Sequence, residues 1–141
     1  DLCVMGRNDS GQLGIESTKA VISKTKHNYF IGNNVQLISQ GKNNSHSFIY
    51  GKNNLFGFGS NDSCQIGIKS NKIMSSPSMI KYDFRSSLKK ISCGHLHSLF
   101  LSQNGAVFGC GSNVTGQLSN QYKQIDNSSN HSIIQEIIKD N

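Results

Sequence analysis

The chain has 141 residues, 14 Lys and Arg against 8 Asp and Glu, a formal net charge of +6, and an apolar content of 35% with no Trp. That is the length of one small domain with a lean core. No apolar run approaches the roughly eighteen residues that a membrane-crossing helix needs, and the opening residues carry no secretory signal pattern. The positive side chains are scattered among Asn and Ser, with Lys89-Lys90 the longest run. That is a solvated surface rather than the basic stripe of a DNA-binding domain. Cys3, Cys64, Cys93 and Cys110 form no CxxC pair, so a reduced, intracellular setting, cytoplasmic or nuclear, is expected.

Taken in chain order, the first apolar run is Leu2-Cys3-Val4-Met5-Gly6, a strand caught part-way, leading into Gly6-Arg7-Asn8-Asp9-Ser10-Gly11-Gln12-Leu13-Gly14. A polar stretch, Ser17 to Asn34, contains one short apolar patch, Ala20-Val21-Ile22. Leu37-Ile38-Ser39-Gln40-Gly41 and then His46-Ser47-Phe48-Ile49-Tyr50 read as two strands. The turn Gly51-Lys52-Asn53-Asn54 leads to Leu55-Phe56-Gly57-Phe58-Gly59. The glycine-punctuated phrase then returns as Gly59-Ser60-Asn61-Asp62-Ser63-Cys64-Gln65-Ile66-Gly67, followed after Pro77 by Met79-Ile80. Leu88 to Gly94, His97-Ser98-Leu99-Phe100-Leu101, the hairpin signal Asn104-Gly105 and Ala106 to Gly111 repeat the sequence of strands. The phrase comes a third time as Gly111-Ser112-Asn113-Val114-Thr115-Gly116-Gln117-Leu118-Ser119. The polar stretch Asn120 to Ser132 precedes Ile133 to Lys139, which is read as strand by its place in the period. Ile137 to Asn141 resembles the start of another Leu-Ile-Ser-Gln-Gly phrase.

The phrase begins at Gly6, Gly59 and Gly111, so the offsets are 53 and then 52 residues. A period near fifty, with runs of four to six apolar residues bounded by Gly, Asn and Ser, is the mark of a repeat built from short strands and tight turns. Gly at its ends permits left-handed backbone, Asn bonds back to its own main chain, and Leu13, Ile66 or Leu118 anchors each copy in the core. One such unit cannot bury its own apolar face, so units must stack. Four strands per period is the count of a propeller blade. The expected fold is therefore all-β, an incomplete β-propeller arc of four-stranded antiparallel blades. About two and a half periods fall short of closure, which implies a piece of a longer protein or an incomplete gene model, as the missing initiating Met does too.

The order Gly-x-Asn-x-x-Gly-Gln-Leu-Gly, then Ile91-Ser92-Cys93-Gly94-His95-Leu96-His97-Ser98, then Ala106-Val107-Phe108-Gly109-Cys110-Gly111, resembles the regulator of chromosome condensation repeat family. The resemblance covers three copies, about 1–50, 54–101 and 106–141, and implies part of a seven-bladed ring with blades offset from the sequence repeat. The repeat-defining positions are Gly6, Asn8, Gly11, Gln12, Leu13 and Gly14, then Gly41, His46 and Ser47, then Gly59, Asn61, Gln65, Ile66 and Gly67. The later copy supplies Gly94, His97, Ser98, Gly111, Asn113, Gly116, Gln117 and Leu118. Cys64 stands where the pattern has Gly, and Ser119 replaces the closing Gly. Met5, Phe58 and Cys110 occupy the place of an aromatic or Trp, and extra residues separate Gly41 from His46. Kelch repeats carry a Gly-Gly doublet and a Trp, and the Trp-Asp repeat needs its own pair; this chain has neither.

Several residues invite chemistry. His95 and His97 share a strand face and offer two imidazoles to a metal, yet no third ligand recurs nearby. The plainer role for His97 and His46 is a hydrogen bond to backbone between strands. Cys93 and Cys110 have no base in sequence reach and read as buried small residues. Asp9 and Asp62 match each other but Val114 takes the third place, so turn capping is preferred over a carboxylate pair. No Gly-Lys-Ser/Thr follows the glycines to cradle phosphate. The expectation is a chain without catalytic residues, metal, cofactor or small-molecule substrate. Its expected work is protein binding, as a regulatory or scaffolding interaction module. The alternative implied by the resemblance is guanine-nucleotide exchange on a Ran-like small GTPase, which needs only tighter binding of the nucleotide-free partner. A third reading, chromatin or DNA association, rests on the resemblance and the positive charge.

Overall fold

The computed structural model describes residues 2–30, 34–41, 45–120 and 134–138. Ten strands are described: β1 Cys3–Gly6, β2 Val21–Lys26, β3 Val35–Gln40, β4 His46–Gly51, β5 Asn54–Gly59, β6 Met74–Ile80, β7 Leu88–Cys93, β8 His97–Ser102, β9 Val107–Gly111 and β10 Gln135–Ile138. A 3-10 turn, Asn28–Phe30, is the helical element among the described residues. The strands form a two-stranded sheet β1-β2 and two four-stranded sheets, β3-β4-β5-β6 and β7-β8-β9-β10, with every neighbour antiparallel. The chain is thus all-β, a succession of open four-stranded blades, of which the first contributes two strands. By the period, β1 and β2 correspond to β5 and β6.

Turn chemistry fixes the registers. Between β4 and β5, Lys52 (φ 51°) and Asn53 (φ 60°) are both left-handed and pair Gly51 with Asn54, the two-residue turn whose twist suits a hairpin. The Asn104-Gly105 hairpin is longer, and there only Gly105 (φ 88°) is left-handed. Strand β6 tolerates Pro77 because it is the edge of its sheet and one side of its ladder is unused. Ile137 and Ile138, expected to open a further repeat, lie instead in β10, the fourth strand of the last blade, with Ile138 opposite Val107. The reason is connectivity: after β9 the sheet still lacks its outer strand, and this is the apolar segment that supplies it. Ile133 and residues 139–141 lie outside the described residues.

Burial shows how blades stack. His46 to Tyr50 of β4 are all buried, because the middle blade is covered on both faces. Strand β8 alternates between partly buried and buried, as a strand covered on one face must. Between the last two blades, Phe48 and Phe100 meet edge to face with centroids 5.2 Å apart. Phe84, from the connection after β6, meets both Phe100 (5.4 Å) and Phe108 (5.2 Å). Each such ring, almost wholly removed from water, contributes roughly 1.5–3 kcal/mol of apolar burial. A smaller cluster of Phe30, Ile49 and Phe58 joins the first blade to the second.

Candidate functional site: one rim of loops held by buried polar links

The topology brings the three glycine-punctuated turns, which follow β1, β5 and β9, to one rim of the blades. The connections β3–β4 and β7–β8 reach the same rim, since Gly59 pairs with His46 and Gly111 with His97. Each turn is organised by its Asn. The Asn8 carboxamide oxygen accepts from Leu13 N (2.9 Å), and its nitrogen donates to Ser17 O (2.7 Å) and Lys19 O (3.1 Å). Asn61 repeats this with Ile66 N (2.9 Å), Ile68 O (2.8 Å) and Ser70 O. Asn113 accepts from Leu118 N (2.8 Å) and donates to Ser119 O (2.9 Å). The Gln side chain adds a second brace: Gln12, Gln65 and Gln117 Oε1 each accept, at 2.9 Å, the main-chain N–H two residues earlier.

Glycine is required where the turn runs left-handed. Gly14 (φ 67°) has the Phe58 ring 2.9 Å from where a Cβ would sit, so here both backbone and space exclude a side chain. The departures seen in the sequence keep the geometry nonetheless: Cys64 has φ 58° and Ser119 φ 87°. They carry a strain of about 1–2 kcal/mol each that glycine would not.

The His-Ser pairs link one blade to the next. His46 Nε2 lies 2.8 Å from Ser98 Oγ, and Ser98 Oγ donates to Gln65 O at 2.7 Å. The hydroxyl proton is committed to the carbonyl, so His46 must donate through Nε2–H. Cys110 Sγ donates to the same carbonyl at 3.2 Å. Ser47 Oγ likewise donates to Gln12 O at 2.9 Å. The expected histidine bond to backbone between strands is therefore corrected for His46: its partner is a side-chain hydroxyl of the next sheet. Burial, with smaller contributions from His97 and His95, lowers the His46 pKa to about 4, so the ring is neutral at pH 7. Burial also lowers His97 and raises the Cys110 thiol well above its usual value. Among the described residues, no group of three His, Cys, Asp or Glu side chains is placed to share a metal ion, and the four cysteines form no disulfide.

What remains outward on the rim are the turn tips. Arg7 and Asp9 clasp each other through their side chains at 2.8 Å, which lowers the Asp9 pKa. Asp62 accepts from Ser60 Oγ at 3.0 Å. Val114, at the third matching position, is 88% exposed, and Leu96 and Ile73, in other rim connections, are exposed as well. Asp9 and Asp62 thus stand on separate turns with separate partners. Gly41 is half-buried beyond β3, and Gly94 packs under the His97 ring.

Three contributors escaped the sequence reading. Phe30 and Phe84 are core residues inside polar connections, and the signal was their matching place, 54 residues apart, after the fourth strand. His27, 2% exposed, packs 4.9 Å from Phe30 where the next blade has Ile80. Burial lowers its pKa.

Comparison with known proteins points one way. Models of the regulator of chromosome condensation (RCC1) repeat match residues 52–101 and 88–117. The chain is 33% identical over 70 residues to an RCC1 repeat-containing protein of Schizosaccharomyces pombe, covering 50% of this chain and 19% of that one. It is 36% identical over 70 residues to the human X-linked retinitis pigmentosa GTPase regulator (50% and 7%). It is 33% identical over 116 residues to the human probable E3 ubiquitin-protein ligase HERC6 (81% and 11%). The chain spans less than a fifth of the length of these relatives. Among solved structures, human WBSCR16 aligns with a TM-score of 0.71 at 20% identity, over 95% of this chain and 34% of that one. Prp20p of Saccharomyces cerevisiae aligns with a TM-score of 0.68 at 17% identity, over 97% and 34%. At these identities the structural likeness concerns the fold.

Proposed function

The chain belongs to the regulator of chromosome condensation repeat family, as a divergent stretch of its propeller, and from that premise we propose that it is a protein-binding surface directed at a small GTPase. The observation that carries the reading is the division of labour on the rim. Asn8, Asn61, Gln65 and His46 are buried and spent on holding turns and blades, whereas the tips at Arg7, Asp9, Asp62 and Val114 face outward, and the third copy has Val where the first two have Asp. A rigid frame with variable tips suits recognition of a folded partner, because little conformational freedom is lost on binding. Support for a GTPase comes from two relatives: Prp20p is described by its binding to Gsp1p and histones, and the retinitis pigmentosa protein is a GTPase regulator by name.

Guanine-nucleotide exchange fits this surface without acid–base chemistry. A partner bound more tightly when empty than when loaded releases its nucleotide by linkage, and the effect scales with that difference in affinity. The setting that accompanies it is intracellular, nuclear or cytoplasmic. The test is release of fluorescent GDP from a Ran-type GTPase in the presence of the chain and of any longer protein that contains it. Acceleration above the intrinsic rate is expected; none at saturating concentration removes the exchange reading. The broader reading, a regulatory or scaffolding module for another protein, is favoured by the long match to HERC6. It predicts GTPase binding without acceleration, or none. For histone or DNA association, affinity should fall steeply with salt if phosphates or charge dominate.

A further inference from the structure

We propose that a cavity on the face opposite the rim, between the second and third blades, is a receptor for an arginine side chain carried by a partner protein. The face follows from register. Gly59 pairs with His46 at the rim, so the β4–β5 turn at Gly51 and Asn54 lies at the other end of the blade, beside the end of β6 and the start of β7. There a cavity of about 520 Å³ is lined by Tyr50, Tyr82, Asp83 and Phe84, with Asn53, Ser86 and Ser87 toward solvent. That volume is in the range of ligand sites and exceeds what one side chain fills, leaving room for flanking main chain. The site is separate from the rim and does not depend on the GTPase reading.

The repeat does not require these residues. Phe84 is the core ring that Phe30 matches 54 residues earlier, but at that spacing Asn28 and Tyr29 stand where Tyr82 and Asp83 do. Tyr50 has Leu101 as its counterpart, counting from His46 and His97 at the start of their strands. Two tyrosines and a carboxylate are thus particular to this junction, and each is held in place. The Tyr50 hydroxyl donates to Asn53 Oδ1 at 3.1 Å and accepts from Leu88 N at 3.4 Å. The Tyr82 ring meets Phe84 at 4.9 Å and Phe108 at 5.5 Å between centroids. Asp83 Oδ1 accepts from Arg85 N at 2.8 Å, which leaves Oδ2 with no hydrogen bond among the described residues. On a chain of net charge +6 the cavity is an acidic exception: Asp83 lines it, and among the described residues no Lys or Arg does. Lys52 and Lys81 are exposed outside its lining, and Arg85 turns to Glu136 at 3.0 Å. Aromatic rings and a carboxylate together attract a cation. A planar guanidinium suits both, stacking on Tyr82 while its fork of N–H groups reaches Asp83 Oδ2 and the Ser86 and Ser87 hydroxyls. An ammonium offers no plane to stack and fewer donors.

The probe is the capped peptide acetyl-Gly-Gly-Arg-Gly-Gly-amide, titrated into the isotope-labelled chain and followed by amide chemical shifts. Saturable shifts at Tyr82, Asp83, Ser86 and Ser87 are expected, with a dissociation constant on the order of 1 mM for so small a ligand. Replacing the arginine by citrulline, which keeps the shape and loses the charge, should weaken binding about tenfold, the worth of one charge-assisted hydrogen bond. The lysine peptide should fall between the two, and free arginine, which lacks the flanking main chain, should bind less tightly than the peptide. These ligand changes leave the protein untouched, so a folding defect cannot imitate the result. Asp83→Asn keeps an acceptor for Arg85 N at an exposed site, and should make the chain bind the arginine and citrulline peptides alike at an unchanged urea midpoint. Absence of saturable shifts overturns the proposal, as do equal affinity for the citrulline peptide, a preference that survives Asp83→Asn, or shifts gathered at Asp9 and Asp62 on the rim. Tighter binding of the lysine peptide refutes the guanidinium assignment, and tighter binding of free arginine refutes the partner protein in favour of a small molecule.

Discussion

Replacing Asn61 by alanine tests the view that one buried carboxamide holds each turn. The side chain is completely buried and serves three main-chain groups: it accepts from Ile66 N and donates to Ile68 O and Ser70 O. Ile66 is itself fully buried, so its N–H would be left without an acceptor and without water. That costs about 1–3 kcal/mol, while the two carbonyls belong to half-buried residues and recover part of their bonding from solvent. The sum is a loss of about 3 kcal/mol. With a urea m-value of about 1–3 kcal/mol/M for a domain of this size, the midpoint should fall by at least 1 M at unchanged m. Asn113→Ala, which removes two bonds from a half-buried site, should cost about half as much. Asn61→Asp sharpens the test. It keeps an acceptor for Ile66 N but sets a carboxylate against two carbonyls, so it should be no better than alanine at pH 7 and should partly recover in acid. The reasoning fails if Asn61→Ala moves the midpoint by less than about 0.3 M, or if the Asn113 variant is the more damaging.

The remaining predictions concern pH, strain and the exposed tips. His46 has a folded pKa of about 4 against 6.5 for the free side chain, so protonation favours the unfolded chain. Stability should be full above pH 6.5 and fall by about 3 kcal/mol as the pH drops to 4; urea midpoints across that range check it, and His46→Asn should flatten the slope. Ser119→Gly relieves a left-handed serine and should stabilise by about 0.5 kcal/mol after the added freedom of the unfolded chain is counted, as thermal melting would register. Cys64→Gly should gain less, because the Cys64 side chain also packs on the core. Val114→Asp should leave stability within about 0.5 kcal/mol, since the side chain is 88% exposed, while altering affinity for whatever protein the rim binds, measured by titration calorimetry.

The repeat was legible because its markers are the residues whose chemistry the backbone demands locally. Glycine at φ above zero, Asn bonding to main chain five residues away, and Gln bracing the N–H two residues back are all short-range, and a sequence displays short-range demands directly. The inter-blade contacts are different. That His46 meets Ser98 rather than a strand of its own sheet depends on which faces stack, and the residues lie 52 apart. Nothing in the local pattern distinguishes the two partners. Phe30, Phe84 and His27 were hidden for the converse reason: the connections that carry them are polar in composition, and burial there is imposed by neighbouring blades. The outward tips were visible only as the places where the repeat disagrees with itself.

That disagreement explains how such a fold keeps stability and recognition apart. The energy that fixes each turn comes from groups aimed inward: a carboxamide on the main chain, an imidazole on the neighbouring blade's hydroxyl, a carbonyl shared by Ser98 and Cys110. None of these depends on the tip residue. Asp9 and Asp62 do make bonds, to the Arg7 and Ser60 side chains and, for Asp9, a long 3.4 Å bond from Gln12 Nε2, but Val114 shows that the turn closes with no such bond at all. Substitution at a tip is therefore nearly neutral for folding and free to alter a binding surface. Substitution one position earlier, at the Asn, strips the main chain of its partners. Adjacent residues thus answer to different constraints, and mutational effects along the rim should alternate sharply between loss of stability and loss of binding, with few positions producing both.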